Sequence, residues 1–205
     1  IFTLVSEPLR EVLPGNAMIA TAVASPLLTP FKLTFFAALF LVMPVVLFQV
    51  WNFIAPGLYK NEKRFAIPLL ATSIVLFYLG IAFAYFVVFP LIFGFFTSIA
   101  PEGVEVQTDI TQFLDFITTI VFAFGIAFEV PVATVLIVWA GLTNIEKLAK
   151  ARPYVFLMAF IAGMFLTPPD VISQSLLAVP VYLLYELGII MSKVFVSKKS
   201  ESDSS

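Results

Sequence analysis

The sequence predicts an all-α membrane protein whose chain crosses the bilayer several times. Of its 205 residues, 61% are hydrophobic and only 12% are charged, and the mean hydropathy is +1.07. Charged residues are absent from Leu33 to Tyr59 and again from Phe65 to Pro101. About 20 apolar residues span a bilayer, whereas a soluble domain of this size needs a far more polar surface. Membrane helices therefore explain these runs.

Five apolar segments are expected to form transmembrane helices, with boundaries good to a few residues. They cover residues 30–52, 67–94, 114–138, 154–167 and 171–191. The last two are short, since a helix of about 14 residues measures about 21 Å and the hydrocarbon core is about 30 Å thick. Two prolines follow Thr167, so the turn before Asp170 is tight. This hairpin is expected to thin the membrane or to sit low within it.

Prolines within the spans predict bent helices. Each proline removes a backbone hydrogen bond and bends its helix unless it lies in the first turn. Bent helices of unequal length predict a concave, cupped arrangement instead of a straight bundle. No internal repeat is visible, so residues 1–195 are expected to form one domain, followed by a disordered, Ser-rich tail at 196–205. The prolines concerned are Pro44, Pro68, Pro90, Pro131 and Pro180.

The basic residues predict the orientation of the chain. Short loops that carry Lys and Arg stay cytoplasmic. The loop SIAPEGVEVQTDITQ between the second and third spans has neither, whereas the loops after spans one and three and the tail are basic. This pattern places the first residue outside and the C-terminus in the cytoplasm. We therefore expect a cytoplasmic N-terminus and one more helix upstream, which gives six helices in all.

The composition argues against catalysis. The sequence contains no Cys and no His, so it offers no thiolate nucleophile, disulfide framework or Cys/His metal site. It shows no Gly-rich phosphate loop, and no lysine is expected inside a span. We expect neither an enzyme nor a bound metal, cofactor or nucleic acid.

One acid interrupts the third span. The stretch FAFGIAFEVPVATVLIVWAG, residues 122–141, is apolar or small except for Glu129. An ionisable residue at membrane depth indicates a functional site by default. Three interpretations stay open: a structural hydrogen bond to another helix, a proton or ion relay, and a polar contact for a partner or substrate.

The loop after the first span, WNFIAPGLYKNEKR, contains a second candidate. Glu62 is the only acid of this basic loop, where it either pairs with Lys63 or Arg64 or acts as a receptor carboxylate for a cationic peptide. A carboxylate accepts two parallel hydrogen bonds from a guanidinium group, so it distinguishes Arg from Lys. Phe53, just inside the boundary, would support an apolar or cation–π contact.

Two further acids lie near the ends of the last span. Asp170 follows the two prolines of the outer turn, where it either caps the next helix or contacts a partner, and Gln174 lies one turn further on. Glu186 lies near Lys193 at the cytoplasmic end and is interpreted as an interfacial residue.

Seven stretches, in this order, resemble the TatC family, the receptor subunit of the twin-arginine protein translocase. The resemblance extends to about residue 195 and looks closest to proteobacterial members. The family also carries a cytoplasmic N-terminal segment and a first helix, which this sequence does not contain. The stretches are MIATAVASPLLTPFKLTF, QVWNFIAPGLYKNEKR, FAYFVVFPL, APEGV, FGIAFEVPV, KARPYV and LTPPDVISQ.

The resemblance implies a function and a set of partners. It implies a six-helix protein of the bacterial inner membrane, present in several copies, that works with the single-helix subunits TatA and TatB. Together they would move folded proteins that carry twin-arginine signal peptides, driven by the proton-motive force. The matching positions are Phe53 and Glu62 for signal-peptide recognition, Glu129 as the intramembrane polar residue, Met164, Thr167 and Gln174 for docking of partner helices, and Asp170 at the outer turn.

Two other classes of function remain as alternatives. A secondary transporter would use Glu129 as a proton carrier, although such proteins are usually built from related halves. An intramembrane enzyme would need a nucleophile and a base, and no such pair is visible. Glu62 together with Phe53 separates the classes, because only the peptide receptor needs them.

Overall fold

The structure is a computed structural model that describes residues 25–54, 63–98, 109–167 and 170–202. Nearly all of these residues are helical. A π-helical turn, Ala84–Val88, joins the second helix to the third. In chain order the helices are α1 (Ser25–Ile54), α2 (Lys63–Phe83), α3 (Phe89–Ser98), α4 (Ile110–Ala127), α5 (Val130–Trp139), α6 (Ile145–Leu166) and α7 (Val171–Ser202).

Within the described residues, five helical segments are long and apolar enough to cross a membrane, which confirms the predicted polytopic all-α fold. Two of them combine neighbouring elements, because α2 continues through the π-helical turn into α3, and α4 is followed directly by α5. The segments are Leu28–Asn52, Pro68–Ser98, Ile110–Trp139, Ile145–Leu166 and Val171–Val194.

Bends were predicted at five prolines, and the helices are interrupted at two of them. The π-helical turn lies just before Pro90, and α4 stops at Ala127, four residues before Pro131. A proline ring conflicts with the carbonyl group four residues earlier, so an extra residue in the turn or a break relieves that conflict. By contrast, α1 runs on through Pro44 and α7 through Pro180.

The fourth span is longer than predicted. α6 begins at Ile145, not near Tyr154, and its 22 residues measure about 33 Å. Its first turns are polar, and the Asn144 side chain caps them by accepting from the Lys147 amide at 2.8 Å. The expectation of a 14-residue helix was therefore wrong, although the apolar part of α6 is short.

The C-terminal tail also differs from the prediction. α7 continues to Ser202, so residues 196–202 are helical where a disordered tail was expected. Residues 203–205 lie outside the described residues. Cooperative helix propagation explains the extension. The preceding turns of α7 already supply carbonyl acceptors, so each added residue needs only one new hydrogen bond.

Small residues allow α2 to run antiparallel against α4 at close range. A Cβ atom on Gly80 would lie 2.5 Å from the Phe124 carbonyl oxygen, and one on Gly125 would lie 2.6 Å from the ring of Phe77. Phe77 is fully buried and Phe124 is 2% exposed. In lipid, helix association depends on such close van der Waals packing, because the hydrophobic effect no longer favours one helix surface over another.

Close packing at glycine residues also joins the last helix to the others. α7 packs against both α5 and α6. A Cβ atom on Gly188 of α7 would collide with the Thr134 hydroxyl of α5, and one on Gly163 of α6 would approach the Gln174 carbonyl oxygen of α7 at 3.4 Å. α7 is thus the element that connects α5 with α6.

The first helix is mostly exposed. α1 directs large apolar side chains outward, among them Phe35 and Leu41, the latter 77% exposed, as expected of a surface that faces lipid. Near its start, Lys32 Nζ lies 2.8 Å from Asp115 Oδ1 on α4. Lys32 falls within the first span, so the expectation that no lysine lies inside a span was wrong.

We predict that Gly80→Ala destabilises the protein, by about 1–3 kcal/mol, because the new methyl group has no space between α2 and α4. Gly94→Ala is the matched control: no atom lies within 4 Å of its Cβ position, so replacing a helical glycine there should be neutral or stabilising by up to about 1 kcal/mol. Thermal unfolding in detergent measures both. Equal melting temperatures for the two variants would contradict the close approach at Gly80.

Candidate functional site

Glu129 lies at the break between α4 and α5. Its amide donates to the Ile126 carbonyl oxygen at 3.0 Å, and its own carbonyl oxygen accepts from the Ala133 amide at 2.8 Å, the first hydrogen bond of α5. Pro131 forces this break, because it has no amide hydrogen to continue the α4 ladder. Glu129 occupies the N-cap position of α5, yet its side chain makes no capping hydrogen bond. The carboxyl group is therefore free to reach a neighbouring helix.

That neighbour is α2. The Ser73 hydroxyl donates to Glu129 Oε2, and Ser73 itself is 1% exposed. The other carboxyl oxygen, Oε1, is buried and has no hydrogen-bond partner. Of the three interpretations of Glu129, the structure thus shows a hydrogen bond to another helix, whereas the relay and the partner contact stay predictions.

Apolar contacts enclose the Ser73–Glu129 pair on both sides. One turn along α2 toward its C-terminal end, Phe77 packs on Gly125. One turn the other way, Leu69 joins a cluster with Trp51, Val132 and Leu136. Burying a carboxylate without a hydrogen bond costs free energy in such surroundings. The Ser73 hydroxyl therefore strongly favours the position in which it can donate to the carboxyl group of Glu129.

The predicted docking residues lie near the turn between α6 and α7. Met164 is 50% exposed and Gln174 is half-buried. Close packing of Gly163 on Gln174 holds the two helices together there. Thr167 is buried, and its hydroxyl donates to the Gly163 carbonyl oxygen at 2.9 Å, so its hydrogen atom is already used within α6.

Asp170 caps α7, which is one of the two roles predicted for it. Its Oδ1 accepts from the Ser173 amide at 2.7 Å, and its carbonyl oxygen accepts from the Gln174 amide at 3.1 Å. Asp170 Oδ2 and the Ser173 hydroxyl oxygen are buried without a partner. Whether Asp170 also contacts a partner stays a prediction.

The side chains of both predicted recognition residues lie outside the part of the chain that the structure describes. Phe53 lies on the last turn of α1, but its side chain lies outside the described residues, and so does the whole of Glu62. The described helices on either side are α1, which ends at Ile54, and α2, which begins at Lys63.

One cluster near the other end of α6 was missed by the sequence analysis. Arg152 Nη2 donates to Glu186 Oε2 at 2.8 Å, and Nε lies 2.7 Å from Oε1. The Tyr182 hydroxyl donates to Glu186 Oε1 at 3.0 Å, and the Tyr185 hydroxyl donates to the Leu148 carbonyl oxygen at 2.8 Å. Glu186 is thus an ion-pair partner and not merely interfacial. The partners lie 34 positions apart in the sequence, so no local signal predicted this contact.

Among the described residues, no group of three or more Asp and Glu side chains could hold a metal ion. The acids described above lie on separate elements, and each has its own partner: Ser73 for Glu129, the Ser173 amide for Asp170 and Arg152 for Glu186. The arrangement fits polar contacts between helices better than a metal centre.

The chain resembles known proteins along most of its length. The sequence model of the TatC family, Sec-independent protein translocase protein, matches residues 1–180. The proteins named Sec-independent protein translocase protein TatC from Azotobacter chroococcum mcd 1 and Escherichia coli K12 are 63% and 58% identical to it. These matches cover 92% and 97% of this chain, and 74% and 77% of the relatives. A solved structure described as "Crystal Structure of Twin Arginine Translocase Receptor- TatC" superposes with a TM-score of 0.84 at 36% identity, over 94% of this chain and 85% of that one.

We predict that Asp170→Ala lowers stability by about 1 kcal/mol, because α7 loses its cap, while Asp170→Asn keeps the cap and the stability. Thermal unfolding of both variants tests the capping role. Transport assays on the same pair test a partner contact: if Asp170→Asn is as stable as wild type but transports poorly, the aspartate has a role beyond the cap. An Asp170→Ala variant as stable as wild type would contradict the cap seen at Ser173.

Proposed function

This chain belongs to the TatC family of Sec-independent protein translocase proteins, and we propose that it is the subunit that binds twin-arginine signal peptides. In this proposal it forms the core of a translocase that moves folded proteins across the inner membrane with the proton-motive force. The observation that carries the proposal is the shared fold with a protein described as the twin-arginine translocase receptor, at 36% identity over nearly the whole chain.

The proposed recognition site is the short connection between α1 and α2. Residues 55–62 connect α1 to α2 along the chain, and Phe53 and Glu62 lie near the two ends of this connection in the sequence. Shortly before it, Trp51 is 6% exposed and packs with Leu69, Val132 and Leu136. A packed base of this kind supports a loop that must hold a peptide in a fixed position.

The chemistry of Glu62 suits an arginine pair. A carboxylate and a guanidinium group form two parallel hydrogen bonds, whereas a lysine ammonium is a compact point charge. Phe53 adds a ring face for an apolar or cation–π contact. The site would therefore prefer Arg-Arg over Lys-Lys at equal charge.

We also propose a location and partners. Basic loops at the ends of spans one and three place those ends, and the C-terminus, in the cytoplasm of a bacterial inner-membrane protein. TatA and TatB are the proposed partners, and their helices would dock near the turn between α6 and α7, where Met164 is exposed and Gln174 is half-buried. Several copies of the chain are expected in the complex.

A proton-carrying transporter is the alternative. It is favoured by one observation, the buried Glu129 Oε1 without a partner. It predicts flux of a small solute through the purified protein alone, which a peptide receptor would not show. The absence of an internal repeat in the sequence weighs against it.

We predict that a photo-crosslinking signal peptide with Arg-Arg labels the full-length protein in membranes more strongly than its Lys-Lys version. Glu62→Ala should remove most of this difference, because the guanidinium fork loses its acceptor; the loss of a charge-assisted hydrogen bond corresponds to roughly tenfold in affinity. Glu146→Ala is the control, since Glu146 is an exposed acid at the start of α6 on the same predicted side. Equal labelling by both peptides and no effect of Glu62→Ala would sink the receptor proposal and bring the transporter forward.

We further predict that Glu129→Ala weakens transport of a folded substrate while labelling by the Arg-Arg peptide stays within about twofold. The reason is distance along the chain and in the fold: Glu129 bonds to Ser73, ten residues into α2, whereas the proposed recognition site precedes α2. Transport into inverted membrane vesicles and peptide crosslinking measure the two quantities. Parallel loss of both would contradict this division of roles.

A further inference from the structure

Ser73 uses its hydroxyl differently from most of the other Ser and Thr residues described on these helices. A helical Ser or Thr commonly donates to a carbonyl oxygen three or four residues earlier in its own helix. Thr72, its neighbour in sequence, does so at 2.9 Å to the Pro68 carbonyl oxygen. Ser73 instead donates across to Glu129 on the opposite helix. The residues that bond to their own helix include Thr34, Thr97, Ser98, Thr118, Thr119, Thr134, Thr167, Ser175 and Ser192.

We propose that Ser73 is the positioning residue of the intramembrane carboxylate: its hydroxyl holds Glu129 Oε2 against α2 and leaves Oε1 as the acceptor for a polar group during transport. The proposal rests on the function proposed above. It assigns Ser73 no contact with substrate, since Ser73 acts through Glu129.

The backbone around Glu129 leaves its side chain in need of such a partner. The break at Pro131 puts Glu129 at the N-cap of α5, where a glutamate side chain would have amide donors nearby, but the side chain makes no cap. Its carboxyl group points into the contact between α2 and α4–α5. Ser73 is the donor that the structure shows there, so its hydroxyl fixes the direction of the carboxyl group.

The packing on either side also limits where Ser73 itself can point. Four successive contacts run along the two antiparallel segments: Gly80 on Phe124, Phe77 on Gly125, Ser73 on Glu129, and Leu69 within the cluster that includes Val132. Along α2 each step is three or four residues, about one helical turn, so Ser73 lies in register with Glu129 and has apolar neighbours above and below. The hydroxyl is therefore preset by the helix contact and costs little entropy to hold in place.

Ser73→Ala in the full-length protein, together with its partner subunits in membrane vesicles, tests the proposal. We expect transport of a folded substrate to fall by about threefold to tenfold, the range given by one interhelical or charge-assisted hydrogen bond. Thr72→Ala is the matched control, because it removes a hydroxyl that bonds only within α2, and it should change transport by less than about twofold.

A second arm separates positioning from packing. In a Glu129→Ala background, Ser73→Ala should cause no further loss, because the hydroxyl has nothing left to hold. Ser73→Cys keeps the shape of the side chain, although sulfur is larger than oxygen, and supplies a weaker donor. It should lower transport in the wild-type background but cause no further loss in the Glu129→Ala background, whereas a loss caused by size alone would persist in both.

An infrared readout makes the test independent of transport. The carboxyl band assigned to Glu129, as the difference between wild type and Glu129→Ala, should shift in frequency in Ser73→Ala and stay in place in Thr72→Ala. An unshifted band in Ser73→Ala, or an equal loss of transport in the wild-type and Glu129→Ala backgrounds, would overturn the proposal. Failure of the receptor function would appear separately, as equal crosslinking of the Arg-Arg and Lys-Lys peptides.

Discussion

The close antiparallel contact of α2 with α4 and α5 is the constraint on which the rest of the described structure depends. Glycines at 80 and 125 let the two segments approach until Phe77 and Phe124 fill the space between them. In a bilayer, contact of this kind is what holds helices together, since lipid is as apolar as a leucine side chain. The contact also sets the register that places Ser73 opposite Glu129.

A second constraint is the need to satisfy every backbone polar group inside the membrane. A break in a membrane helix is tolerated where protein surrounds it. At Pro131 the break lies within the contact between α2, α5 and α7, and the turn through Phe128 and Glu129 recovers its hydrogen bonds from Phe124 and Ile126. The same turn carries the acid, so the proline that interrupts the helix also determines where the carboxyl group can reach.

The polar contacts fall at three levels of the helix assembly, and each joins different elements. Lys32 and Asp115 join α1 to α4, Ser73 and Glu129 join α2 to the break before α5, and Arg152 and Glu186 join α6 to α7. Ion pairs as exposed as the first contribute little stability, so their main effect is to select one arrangement of helices. The middle contact is enclosed, and there Glu129 has one oxygen bonded to Ser73 and one buried oxygen without a partner.

Sequence alone determined the membrane class, the five spans and the unusual position of Glu129, because long uncharged runs and a single acid within one are local signals. Motif resemblance determined the family, and it pointed to Glu129, Asp170 and the α6–α7 turn before any coordinates. Tertiary structure alone decided which polar groups meet. Nothing in the sequence paired Ser73 with Glu129 or Arg152 with Glu186, since these partners lie 56 and 34 positions apart and hydrogen bonding depends on helix register in space. The sequence also misplaced the start of α6, because its first turns are charged and a hydropathy pattern marks only the segment in contact with lipid. Helix formation depends instead on capping and backbone hydrogen bonds, and these continue beyond the apolar segment.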